Sequence, residues 1–178
     1  VHKAGIHFLG AGAHKWMMGP QGVGVFYARS DVLDRLHPVT ANWLSVVDPF
    51  DFFNYGQSYK GTAARIEGST PNLSGLIAFD AVLGMIEDIG VPRIEARIMQ
   101  LTDRLLEGLR AREYDIVSTW EPGERSGIVC FRAKGDPNEL LERVQAEKVI
   151  IAVRVGVVRV SPHFYNTEEE IDRLLATL

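Results

Sequence analysis

Cysteine occurs once in the 178 residues, at Cys130, so an internal disulfide framework and a thiolate zinc site are both excluded. Long apolar runs are missing too: nothing approaches the roughly 18–20 residues that span a bilayer. Lysine and arginine form no clusters and the net charge is −4, which makes nucleic acid and anionic membranes poor partners. No signal peptide opens the chain, and a cytoplasmic protein is expected. Methionine is absent from position 1, where Val1-His2-Lys3-Ala4-Gly5 leads straight into a core-like strand, so the sequence reads as the later part of something longer.

What is present, 46% hydrophobic and 24% charged residues, suits one domain or one domain with a small satellite. Ile6–Ala13 is a short apolar run bounded by glycines, which suits a buried strand. After the turn cluster Gly19-Pro20-Gln21-Gly22, the β-branched and aromatic residues of Val23–Ala28 predict a second strand. Ser30 is placed to cap a short helix, Asp31–Leu36, that Pro38 stops. Residues 39–64 are aromatic and aperiodic, a loop expected to pack against its own core or a partner. Thr70-Pro71 then reads as a cap and first-turn proline for a helix closed by Gly90. Pro92 opens the next helix, with Ile94, Ile98, Leu101, Leu105 and Leu109 on one stripe. The last third alternates strands (Tyr114–Ser118, Gly127–Phe131, Val149–Arg154, Val157–Val160) with helices begun by Asp136-Pro137-Asn138-Glu139 and by the capping box Thr167–Glu170. The pattern is α/β at first and a small α+β lobe from Tyr114 onward.

Gly10-Ala11-Gly12-Ala13-His14-Lys15 is the most informative stretch. A dinucleotide fold needs a third glycine where Lys15 stands, and a phosphate loop needs Gly-Lys-Ser/Thr, so both nucleotide patterns fail. What remains is a lysine at a strand end beside a histidine. Either its amine is partly desolvated and nucleophilic toward an aldehyde, or it is an ordinary lysine snorkelling into water. Arg159 poses a similar choice within a β-branched strand: an edge position in solvent, or a guanidinium gripping an anion in a cleft. His2, His7 and His14 lack metal-ligand spacing, so no metal site is expected. Cys130 between Val129 and Phe131 reads as a buried, inert thiol. Glu168-Glu169-Glu170 serves helix-start electrostatics.

Three blocks together resemble the class V branch of the fold-type I pyridoxal-phosphate enzymes, which includes class V aminotransferases, isopenicillin N epimerase-like proteins and cysteine desulfurases. His14–Tyr27 is similar to the cofactor-lysine block, Arg65–Asn72 to the start of the interdomain helices, and Arg159–Thr167 with Glu169, Ile171 and Asp172 to the C-terminal block. The resemblance implies the C-terminal part of such an enzyme: residues 1–94 as the end of the cofactor-binding large domain with its interdomain helix, and 95–178 as the small α+β domain. It implies pyridoxal 5'-phosphate as cofactor, held by Lys15 as a Schiff base with His14 near the phosphate. Thr70 would reach the phosphate of a neighbouring subunit's cofactor in a homodimer with shared sites, and Arg159 would hold the carboxylate of an amino-acid substrate. The chemistry implied is that of an aminotransferase or epimerase. Only Val155–Val158 separate Arg154 from Arg159, where desulfurases carry a loop with a nucleophilic cysteine, so persulfide chemistry is not expected. A C–S or C–Se lyase and a non-catalytic dimerisation module are the alternatives. Gly12 stands where desulfurases often place a phosphate-binding serine. No residue upstream of Lys15 can supply the family's phosphate loop, ring-stacking aromatic or aspartate, so the isolated chain is expected to bind the cofactor weakly and to lack turnover.

Overall fold

The computed structural model describes residues 1–68 and 70–178. They form two compact units, Val1–Asp88 and Ile89–Leu178. In the first, Phe8–Gly12 (β1) and Gly24–Ala28 (β2) make an antiparallel ribbon with Phe8 opposite Ala28 and Gly12 opposite Gly24. Gly24 is required by close approach, since a Cβ there would stand 2.7 Å from the Ala11 carbonyl oxygen. The ribbon is not the buried pair that its composition predicts. Phe8 is 46% exposed and Phe26 49%, with their rings stacked at 6.4 Å. A two-stranded ribbon has no second layer over its outer face, so those apolar groups stay in water.

Ser30–Arg35 is a 3-10 turn, not an α-helix, and Ser30 lies inside it, preceded by Arg29. Leu73–Ile89 forms α1, which begins later than Thr70-Pro71 predicts. Asn72 is the cap: its Oδ1 accepts from the Gly75 N–H at 3.0 Å, satisfying a donor that the helix start leaves open. The unit's core is small, with Ala13, Val23 and Phe79 buried and Met17 and Leu83 packed against them. Arg65 anchors the preceding loop from a buried position, donating to the carbonyls of Lys60 (2.8 Å) and Leu33 (3.2 Å). Within residues 39–64, Val46 bridges Tyr59 and Ser45 is fully buried, but Phe53 and Tyr55 are more than nine-tenths exposed, so the aromatic tip of this loop does not pack into the core of its own unit.

The second unit has the larger core. Val91–Ala111 (α2) buries Ile98, Leu101, Thr102, Leu105, Leu106 and Leu109 along one face. Val129–Phe131 (β3), Ala152–Arg154 (β4) and Val157–Val160 (β5) form an antiparallel sheet in the order β3-β5-β4. Pro137–Ala146 (α3) is capped by Asp136, and Glu168–Thr177 (α4) by the reciprocal Thr167–Glu170 box, as the sequence predicts. Val129, Phe131, Val158 and Val160 point into the core with Leu140, Val144, Ile171 and Leu174. Gly108 lets α2 and α4 meet, since a Cβ there would stand 2.3 Å from Leu175 Cδ1. Tyr114–Ser118 is mostly not a strand; Ile116 makes a single bridge to Phe131. Among the described residues no helix is long and apolar enough to cross a membrane, and no group of three potential metal ligands exists.

Candidate active site

Lys15 lies in the turn that follows β1, and backbone hydrogen bonds pin that turn on both sides. The Ala13 N–H donates to the Val23 carbonyl at 2.9 Å, the Gly19 N–H to the Ala13 carbonyl at 2.8 Å, and the Met18 N–H to the Lys15 carbonyl at 2.9 Å. Met18 holds a positive φ of 53° to close the loop, a conformation costly for a side chain of its size. Gly19 admits the close fit beneath: a Cβ on it would stand 2.7 Å from both Ala13 Cβ and Phe79 Cδ2. The fully buried Ala13 therefore seats the turn on α1.

The side chains of His14 and Lys15 project from this seat and are exposed. The partly desolvated amine considered from the sequence is not what the chain presents. The turn is supported from beneath by Ala13, Val23 and Phe79, and among the described residues its outer side, with His14, Lys15 and Trp16, is exposed. Among the described residues no carboxylate pairs with Lys15. The His14 ring lies over bare backbone, since a Cβ on Gly12 would come within 3.0 Å of its Cε1. Gly12 thus makes room for the imidazole, a role its position in the motif did not disclose. Thr70 is exposed, two residues before the Asn72 cap, and its hydroxyl makes no described hydrogen bond.

Arg159 belongs to the second unit. Its strand, β5, is the middle one of three, which removes the edge-strand alternative. Cys130 on β3 and Ala152 on β4 stand directly opposite it, so these three side chains share the sheet face opposite the Val158 and Val160 core. The Arg159 Nε is buried and has no hydrogen-bond partner among the described residues, and none of the described ion pairs includes it. A buried guanidinium nitrogen without an acceptor is costly, and a carboxylate, which accepts from two adjacent N–H groups, is the natural complement. Following β5, His163 is buried with its ring stacked on Tyr165 at 4.7 Å. Its backbone N–H donates to Asn166 Oδ1 at 2.7 Å. Spacing gave no sign of that stacked turn, because the motif fixes residue types and not ring contacts.

The donor set fits pyridoxal phosphate in kind: an unpaired primary amine, an imidazole one residue before it, and a hydroxyl at Thr70. None of these side chains lines the described cavities of about 260 to 380 Å³.

The family model described as Aminotransferase class-V matches residues 1–174. The chain is 29% identical over 171 residues to the uncharacterized aminotransferase YcbU of Bacillus subtilis, covering 96% of this chain and 44% of that protein. It is 30% identical over 193 residues to a cysteine desulfurase of Klebsiella pneumoniae, covering 100% and 46%. The solved cysteine desulfurase of Thermococcus onnurineus superposes with a TM-score of 0.87 at 28% identity, covering 99% of this chain and 47% of that one. A cystine C–S lyase at 22% identity shares the fold, with a TM-score of 0.83. The chain thus spans about half the length of the curated relatives it matches.

Proposed function

The chain belongs to the class V aminotransferase family, and from that premise we propose that the whole protein is a pyridoxal-phosphate enzyme acting on an amino acid, with this chain supplying the cofactor lysine, Lys15, and the carboxylate-binding arginine, Arg159. Residues 1–94 end the cofactor-binding domain and 95–178 form the small domain. The observation that carries the reading is the Arg159 Nε, buried on a central strand with no acceptor among the described residues.

Each side chain has a task suited to its chemistry. The guanidinium takes the substrate's α-carboxylate through paired N–H donors and fixes the direction in which Cα presents its hydrogen. Lys15 holds the cofactor and, when its amine is free, takes and returns the proton at Cα. His14 stands beside the phosphate, and Thr70 offers its hydroxyl to the phosphate bound by a second copy in a homodimer. Pyridoxal phosphate, when bound, supplies an aldehyde for an amine and a ring that takes up carbanion charge. In this chain the Lys15 amine is in water, so weak cofactor binding and no turnover are expected of the 178 residues alone.

Transamination or epimerisation is the preferred outcome. The sole cysteine lies within β3, and β4 joins β5 through the two-residue turn Val155-Gly156, which has no length to carry a second nucleophile. The relatives named cysteine desulfurases favour a second reading, C–S bond cleavage by a lyase without a catalytic cysteine.

Borohydride reduction of the chain with pyridoxal phosphate, followed by peptide mapping, tests the lysine. A pyridoxyl adduct concentrated on Lys15 is expected, with Lys3, Lys60, Lys134 and Lys148 as internal controls. Labelling spread evenly over the five lysines overturns the assignment and leaves the non-catalytic module.

A further inference from the structure

Cys130 plays no part in the chemistry above, yet the register places it directly across from Arg159. The hydrogen bonds define how close the two are. The Cys130 carbonyl accepts from the Val117 N–H at 2.8 Å, and its N–H donates to Ser118 Oγ at 3.0 Å. Both backbone groups of Cys130 thus point away from β5, which makes Cys130–Arg159 a non-hydrogen-bonded pair. In such pairs the Cα atoms are about 4.5 Å apart and the side chains approach most closely. The thiol is partly exposed and shares its sheet face with the buried, acceptor-free Arg159 Nε.

We propose that Cys130 forms a wall of the carboxylate subsite at Arg159, so that an anion held by the guanidinium and a group placed covalently on the Cys130 sulfur exclude one another. The proposal rests on the reading of Arg159 as a carboxylate binder and extends it to a second residue and to a route of inhibition. The guanidinium draws carboxylate-bearing electrophiles toward the thiol. Once alkylated, the sulfur carries a tethered group into the space the substrate's carboxylate needs. With iodoacetate the new carboxylate is itself an acceptor for the arginine. In that step a carbon–sulfur bond forms, the carbon–iodine bond breaks, iodide leaves and the thiol proton passes to solvent.

Because the chain has one cysteine, loss of titratable thiol reports modification at this position alone. The rate of labelling by neutral iodoacetamide is measured in acetate and in chloride at equal ionic strength, alongside the acetate-induced shift of the Arg159 Nε–H resonance. The expected results are slower labelling in acetate and a rate ratio of iodoacetate to iodoacetamide raised about fivefold over that of free cysteine, the factor one charge at contact distance gives in water. In Arg159→Gln both effects vanish; Arg159→Lys, which keeps the charge and loses the fork, serves if that variant does not fold. A shifted resonance with unchanged labelling overturns the Cys130 inference and leaves the Arg159 reading standing. An unmoved resonance with unchanged labelling overturns both. Protection that persists in Arg159→Gln overturns the inference as well.

Discussion

In α1 a Cβ on Gly75 would stand 2.6 Å from Val23 Cγ2 and 2.4 Å from Asn72 Nδ2, whereas one on Gly84 would meet nothing within 4 Å. Gly75 is where the helix comes down on Val23, the residue just before β2 whose carbonyl braces the Lys15 turn, and Gly84 only weakens the helix. Gly84→Ala is therefore expected to raise stability by about 0.5–1 kcal/mol, and Gly75→Ala to lower it by roughly 1–3 kcal/mol through overpacking and a disturbed cap. Denaturant midpoints of the two variants check this, and shifts of the same sign would refute it. From the sequence the two glycines look alike, because the difference lies in what faces them. Lys15 illustrates the same point. Its place at a strand end was readable, but its exposure depends on what covers the turn.

Between elements, α2 and α4 are tied by two ion pairs, Arg97 with Glu168 at 2.5 Å and Arg104 with Asp172 at 2.6 Å. The Arg97 side-chain hydrogen bond, followed by a backbone hydrogen bond, holds the Glu168 carboxyl at about 2, against an ordinary 4.5. Folding thus favours the ionised form. Its contribution is complete above about pH 4.5 and is lost as the pH falls toward 2. Both partners are about a third exposed, so the effect is modest. In Glu168→Gln the fall in stability between pH 4.5 and 2 should be shallower than in the parent, by thermal melts across that range; identical slopes would show that the pair contributes nothing. The helix starts around this clamp were legible, since Asp136 and the Thr167–Glu170 box act within one turn of their own residues. The sequence places the start of α1 two residues early because Thr70-Pro71 and Asn72 are both acceptable caps, and only the hydrogen bond to Gly75 distinguishes them. The Cys130–Arg159 pairing was not legible at all, because register between strands distant in sequence is decided by the core.

For the molecule as a whole, the two units differ in how much they bury. Val1–Asp88 relies on Ala13, Val23 and Phe79, while Ile89–Leu178 encloses Leu101, Leu105, Leu109, Phe131, Val144 and Val158 almost completely. Amide exchange should follow this contrast, with the slowest protons in α2 and β5 and rapid exchange throughout β1 and β2. Comparable protection in the two strand sets would contradict it. The alternation of strands and helices made the α/β character readable in advance, but not the thinness of the first unit's core, since its apolar residues are plentiful and simply left uncovered.

The turn between β4 and β5 has a consequence of its own. Val155 and Gly156 both hold positive φ, at 51° and 76°, and Val155 lies wholly in solvent. With only two residues to reverse direction the hairpin has no slack. Adding or removing one residue would exchange the two sides of β5, driving a charged fork into the hydrocarbon and expelling Val158 into solvent. Length variants at this corner are thus tolerated only when they return the chain in the same phase, whatever their composition.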